Sequence, residues 1–199
     1  MRPDCGACTI TLMKPGTALL PCLLIACVMV IPAAAGESSV ERWLLVDTVN
    51  NKLMVMEGSE MISTYEGIAI GRYGAAHDRM QGDHRTPVGR FSVAWISDDS
   101  RFHRFFGLDY PDLLTALRAY TDKRITEADW QAIRRAHQEG AIPPQNTPLG
   151  GQIGLHGIGA GSAEVHGRYN WTNGCVAVGN DEIDELQQWV RVGTRVDIR

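Results

Sequence analysis

Cys175 is the residue that most needs explaining. It sits in "YNWTNGCVAV", Tyr169 to Val178, between a glycine and an alternating apolar run. A thiol acts as a nucleophile only as a thiolate, so it needs a neighbouring base or a positive field. Two histidines come shortly before it, His156 in "GLHGIG" and His166 in "EVHGRY". His156 closes an apolar strand-like run, a rigid place for a base, whereas His166 falls in a polar stretch read as a loop. Gly174 lets the backbone bend so that the Gly174 and Cys175 amides aim at one point. Such a pair would hold the oxyanion of a tetrahedral intermediate, a large contribution in acyl transfer. Bland readings stand beside each of these. A free cysteine is often a small core residue, a histidine at a strand end is often just hydrogen-bonded, and a glycine is an ordinary turn residue.

His156, His166 and Cys175 are also potential zinc ligands. Zinc ligands usually come as tight pairs such as C-x-x-C or H-x-x-x-H, and these three form none. No metal and no cofactor is expected.

The N-terminus bears on the thiol. Arg2 and Lys14 precede "TALLPCLLIACVMVIPAAA", which ends in three alanines suited to cleavage before Gly36. Residues 1–35 therefore read as a signal peptide or as an uncleaved membrane anchor, since Thr17 to Ala35 is long enough to span a bilayer. "LIAC", Leu24 to Cys27, resembles a lipoprotein cleavage box, but the "VMVIP" after it is too apolar for a mature lipoprotein start. Each reading exports the rest of the chain, to the periplasm or cell envelope. Cys5, Cys8, Cys22 and Cys27 all lie in or before the apolar run, so the exported part keeps Cys175 alone. In an oxidising compartment a lone thiol is a liability unless it is buried or does chemistry.

The elements that must position these residues read as one domain. At 199 residues, 44% hydrophobic and 21% charged, the chain suits a single core. A net charge of −4 argues against nucleic acid, because phosphate binding needs a basic face. After a linker at 36–41, "RWLLVDT" and "KLMVMEG" read as strands joined at Val49 to Asn51, and "MISTYEGIAIG" as a third. "TPVGRFSVAWI" reads as a proline turn and a strand. "PDLLTALRAY", with Pro111 in the first turn, and "EADWQAIRRAHQEG", capped by Thr126, read as helices. Trp130, Ile133 and Ala136 or His137 fall on one helical face. "QIGLHG" and "CVAV" are short strands, Asn180 is a candidate cap for "DEIDELQQWV", and "GTRVDIR" is a terminal strand. The fold class expected is mainly β with helices, an α+β domain over 42–199 with a helical insertion at about 97–149. That insert holds "RFHRFFGLDYPD", where Phe105 or Phe106 is expected to contact substrate if the insert is a lid.

"HG" at His156-Gly157 and "TNGCVAV" at Thr172 to Val178 resemble the signature of the YkuD-type L,D-transpeptidases, bacterial enzymes of peptidoglycan. "GDHRTPVGRF", Gly82 to Phe91, resembles the same family's upstream motif, and "PPQNTPLGGQIGLHG" its approach to the catalytic histidine. The likeness covers about Arg42 to Arg199 and implies a β-sandwich of the L,D-transpeptidase catalytic-domain kind. It implies Cys175 as nucleophile, His156 as base, the Gly157 carbonyl orienting the imidazole, and the Gly174 and Cys175 amides as oxyanion hole. Thr172 and Asn173 would meet substrate, while Asp83 and Thr86 would shape the loop beside the cleft. The implied partners are peptidoglycan stem peptides, with carbapenems as acylating inhibitors. The chain has Thr172 and Asn173 where the family commonly has Ser-His, and Ala177 where it commonly has arginine. A branch with W-T-x-G-C-[IV]-A-V is more similar, and some of its members are hydrolases that detach proteins from the wall. Ala177 and Asn173 also suit a non-catalytic wall-binding module.

Overall fold

The computed structural model describes residues 40–199, so the expected signal peptide or anchor and most of the linker lie outside the described residues. The strands are β1 (Arg42–Asp47), β2 (Lys52–Glu57), β3 (Glu60–Glu66), β4 (Ala75–Ala76), β5 (Thr86–Pro87), β6 (Gly89–Ser100) and β7 (His103–Leu108). Then follow α1 (Leu113–Thr121), α2 (Glu127–Gln138), β8 (Gly154–His156), α3 (Ala163–His166), β9 (Val176–Ala177), α4 (Asn180–Leu186) and β10 (Arg195–Ile198).

Alternation builds the first hairpin. Leu44, Val46, Leu53 and Val55 share one face and are buried, and at the open end of the same register Arg42 and Glu57 pair at 2.7 Å. Asp47 closes the turn by accepting the Val49 and Asn50 amides at 3.1 and 3.0 Å. The eight-stranded sheet has the order β3-β2-β1-β10-β6-β7-β8-β9. Pairing is antiparallel except for β1 with β10 and β8 with β9. The last strand thus inserts in the middle, between the first and the sixth. The twelve-residue β6 belongs to both halves of the order, and residues from both halves, among them Leu44, Phe91, Phe106, Leu155 and Val176, enter one hydrophobic core.

The expected helical insertion is shorter than 97–149. Ser97 to Ser100 complete β6, and His103–Leu108 is β7, so only α1 and α2 are helical. Phe105 and Phe106, adjacent in sequence, hide the two-residue period because they leave the strand on opposite faces. Phe106 is fully buried in the core, and Phe105 lines a cleft. Gly107 lies under the Trp95 indole, where a Cβ would collide with the ring. α1 is capped by Asp112, whose carboxylate accepts the Leu114 and Thr115 amides, which places Pro111 before the cap. α2 begins as expected at Thr126, in a reciprocal box with Asp129 at 3.0 and 3.1 Å, and buries Ile133 and Ala136. α4 is not capped by Asn180. Gly179 is the cap and donates its N–H to Glu182 at 2.7 Å. The Asn180 amide instead clasps both backbone groups of Gly159 at 2.9 Å, tying α4 to the loop after His156. Among the described residues no helix is long and apolar enough to cross a membrane.

Candidate active site

The parallel pairing of β8 with β9, Leu155 beside Val176 and His156 beside Ala177, lays Cys175, which immediately precedes β9, alongside the strand that ends in His156. His156 and Cys175 consequently line one cleft of about 1050 Å³. Its other walls come from the tip of the β6–β7 hairpin, from Gln152 and Ile153, and from Trp171 to Asn173.

The imidazole is fixed on all sides. His156 Nδ1 donates to the Gly157 carbonyl at 2.6 Å, which leaves Nε2 as the lone-pair nitrogen. Phe102 stacks on the ring at 4.2 Å between centroids, Phe105 lies parallel at 6.1 Å, and Trp171 meets it edge-on at 5.9 Å. This aromatic box leaves His156 only 1% exposed. Burial pulls its pKa down to about 4, against the Gly157 carbonyl, with smaller contributions from His166 and Arg101 in the same direction as burial.

The Cys175 thiol is part-buried, and Sγ donates to the Gln152 carbonyl at 3.3 Å. Burial pushes its pKa up to about 11, with a Gly154 backbone contact and the Arg79 charge pulling the other way. Both shifts favour the uncharged forms. Burial therefore works against a resting thiolate–imidazolium pair.

The turn before the thiol is held by Thr172. Its hydroxyl donates to the Cys175 carbonyl at 2.6 Å and accepts the Gly174 N–H at 3.1 Å. The expected two-amide oxyanion hole is therefore corrected. The Gly174 N–H is engaged, and the Cys175 N–H is left as the local donor. Gly174 has φ +131°, and a Cβ there would stand 2.8 Å from the Arg85 carbonyl, so the position requires glycine. Thr172 is buried with its hydroxyl committed both ways, and it positions the turn where substrate contact was expected. Asn173 is exposed in the cleft, and its Oδ1 accepts from Arg72 Nη2 at 2.8 Å. Ala177 is fully buried and exchanges both backbone hydrogen bonds with Ala69, at 2.7 and 2.9 Å.

The loop motif is structural. Asp83 accepts the Met80 and Arg85 amides at 2.8 and 3.0 Å, and the buried Thr86 hydroxyl accepts the Gly71 N–H at 2.8 Å. His166, read as a loop residue, ends the short α3 and accepts from the Trp171 indole N–H at 3.4 Å. Among the described residues no cluster of three His, Cys, Asp or Glu side chains could hold a metal ion. Of the expected substrate contacts in the insert, Phe105 reaches the cleft and the core residue Phe106 does not.

Three contributors escaped the sequence reading: Phe102, Trp171 and Arg72. The glycines of "HGIG" were the available signal for the first. A Cβ at Gly157 would come 2.8 Å from the Phe102 carbonyl, and one at Gly159 would collide with the Arg101 carbonyl. Both positions are bare so that the hairpin tip can rest on the histidine loop.

A mixed, mainly β sheet with helices beside it thus opens one cleft onto Cys175 and His156. The sequence model of the YkuD family, the L,D-transpeptidase catalytic domain, matches residues 41–198, and the chain belongs to that family. Among curated proteins the chain has no match. Among solved structures it resembles the helical cell shape determining protein Pgp2 from Campylobacter jejuni, at TM-score 0.57 and 18% identity over 81% of this chain and 48% of that one. It also resembles Bdellovibrio bacteriovorus Bd1075, at TM-score 0.51 and 23% identity over 83% of this chain and 50% of that one. The chain spans about half the length of these relatives, and at such identities the likeness is one of fold.

Proposed function

We propose that the protein is an exported, cysteine-dependent L,D-transpeptidase acting on tetrapeptide stems of peptidoglycan. The observation that carries this reading is that Cys175, the one cysteine of the described residues, shares a cleft with an imidazole whose Nδ1 is anchored to Gly157 O.

The charge states define the first step. With both groups neutral at rest, His156 Nε2 takes the thiol proton as Cys175 Sγ bonds to the carbonyl carbon of the third stem residue. Leaving the Gln152 carbonyl costs the thiol one hydrogen bond, so the proton moves when substrate is in place. The Cys175 N–H faces the oxyanion. Collapse breaks the C–N bond, and the imidazolium gives its proton to the departing D-alanine amine. A thioester remains. An amine of a second stem then attacks, His156 removes its proton, and the thiol is restored as a 3-3 cross-link forms. Water in place of the amine gives a trimmed tripeptide by the same route. The thiol would likewise open the β-lactam ring of a carbapenem. An envelope location follows from the substrate and fits the apolar N-terminus.

The test is product analysis with purified disaccharide-tetrapeptide. Cross-linked dimer or disaccharide-tripeptide, each absent with Cys175→Ala, supports the reading, and dimer against tripeptide identifies the acceptor. Intact substrate after incubation with the folded protein overturns it.

A further inference from the structure

We infer that Arg72 is a carboxylate-binding residue of the cleft and that it selects stem peptides by a free carboxylate close to the scissile bond. This inference deepens the function proposed above and rests on it.

Arg72 lines the cleft that holds Cys175 and His156, and it is exposed. Its guanidinium is held by two neutral oxygens, Asn173 Oδ1 at 2.8 Å and the Trp171 carbonyl at 3.5 Å. Among the described residues no carboxylate forms an ion pair with it; the same holds for Arg101 in this cleft, whose guanidinium instead lies over the Phe102 ring at 4.6 Å. A guanidinium has five N–H donors in a planar fork. Two neutral acceptors on one nitrogen leave most of that fork and all of its charge for a ligand.

The backbone beneath Arg72 is as firmly placed as the nucleophile. Arg72 N–H donates to the Thr172 carbonyl at 3.0 Å, Thr172 N–H donates to the Ile70 carbonyl at 3.2 Å, and Gly71 bridges to Thr172. A Cβ at Gly71 would collide with the His84 carbonyl, so this close approach requires glycine. Thr172 in turn fixes Gly174 and Cys175 through its hydroxyl. A single hydrogen-bonded unit therefore carries both the thiol and the cation. The remaining charged residues of the cleft, Asp99 and Arg101, belong to the β6–β7 hairpin on another wall.

The matching ligand is a peptide carboxylate. A tetrapeptide stem offers two: the C-terminal α-carboxylate of the leaving residue, and the carboxylate ending the side chain of the diamino acid at the third position. Both would meet the guanidinium in the same forked geometry.

The test uses three synthetic disaccharide-tetrapeptides: the free acid, its C-terminal amide, and its side-chain amide. Acyl transfer is followed with wild type, Arg72→Gln and Arg72→Lys. The expected result is a roughly ten- to hundredfold lower kcat/KM for Arg72→Gln on the free acid, expressed mainly in KM, with Arg72→Lys retaining part of the activity. The amide of the carboxylate that binds Arg72 is turned over equally by wild type and Arg72→Gln, which identifies the source. Unchanged kcat/KM in Arg72→Gln, or the same loss on all three peptides, overturns the inference. Calorimetric affinities of the three peptides for Cys175→Ala, with and without Arg72→Gln, separate the two claims. Arg72-dependent discrimination without turnover by wild type sustains the carboxylate site and sinks the transferase. Turnover with no dependence on Arg72 does the reverse.

Discussion

The Phe102 ring stacks on the His156 imidazole at 4.2 Å between centroids, with the two planes 25° from parallel. The Arg101 guanidinium lies over the same phenyl ring at 4.6 Å from its centroid. Phe102 sits at the tip of the β6–β7 hairpin, and by covering the ring it helps to exclude the water that would solvate an imidazolium. A distant hairpin thereby sets the basicity of the candidate catalytic group.

Removing that cover should raise the pKa of His156 towards its ordinary value. For Phe102→Ala, the acid limb of the pH–rate profile is expected to move up by about one to two pH units from a wild-type limb near pH 4. An unmoved limb in a folded variant would show that Phe102 does not govern the titration.

The same depressed pKa makes stability depend on pH. Its folded value of about 4 lies below the unfolded value near 6.5, so the unfolded chain binds the proton more tightly. The contribution of His156 is therefore full above pH 6.5 and is lost as pH falls towards 4, by at most about 3 kcal/mol. Denaturant titrations of wild type and His156→Gln across that window should diverge, with the variant flatter.

Thr172 holds the Cys175 turn through two hydrogen bonds. Thr172→Val keeps the shape but leaves the Gly174 N–H and the Cys175 carbonyl without this partner, at a cost of about 1–3 kcal/mol. A fall in Tm of several degrees and a larger loss in kcat than in KM are expected, with Thr172→Ser recovering most of both. Equal activity in Thr172→Val would remove Thr172 from the account.

Because burial pushes the thiol up to about 11, the free protein should hold little thiolate at neutral pH. Iodoacetamide should alkylate Cys175 slowly at pH 7 and increasingly fast through pH 9 to 11, as followed by intact mass. Fast, pH-independent alkylation from pH 5 upwards would reveal a preformed ion pair.

Much of the fold was legible because the signals were local. Two-residue alternation marked Leu44, Val46, Leu53 and Val55, and Thr126 with Asp129 announced α2 within four residues. The order of His156 and Gly174-Cys175 pointed to one site because β8 and β9 are short and paired, with His156 closing the first and Cys175 immediately preceding the second. What escaped depends on pairing between distant segments. Phe102 meets His156 only after β7 pairs with β8, and β7 itself was obscured by Phe105 and Phe106 facing opposite sides. Arg72 joins the cleft through Thr172, a hundred positions along the chain. Asn180 looked like a cap from its type, but Gly159 takes its side chain. The roles given to Thr172 and Gly174 changed for a related reason: a single hydroxyl, invisible as a contact in sequence, occupies the amide expected to face substrate.

The proposed acyl-enzyme is a covalent species, and intact-mass spectrometry of the protein mixed with disaccharide-tetrapeptide detects it. A mass gain equal to the substrate less D-alanine is expected, discharged by hydroxylamine and absent in Cys175→Ala. Substrate consumption by folded wild type with no adduct under rapid quench, or an adduct that persists in Cys175→Ala, would contradict it.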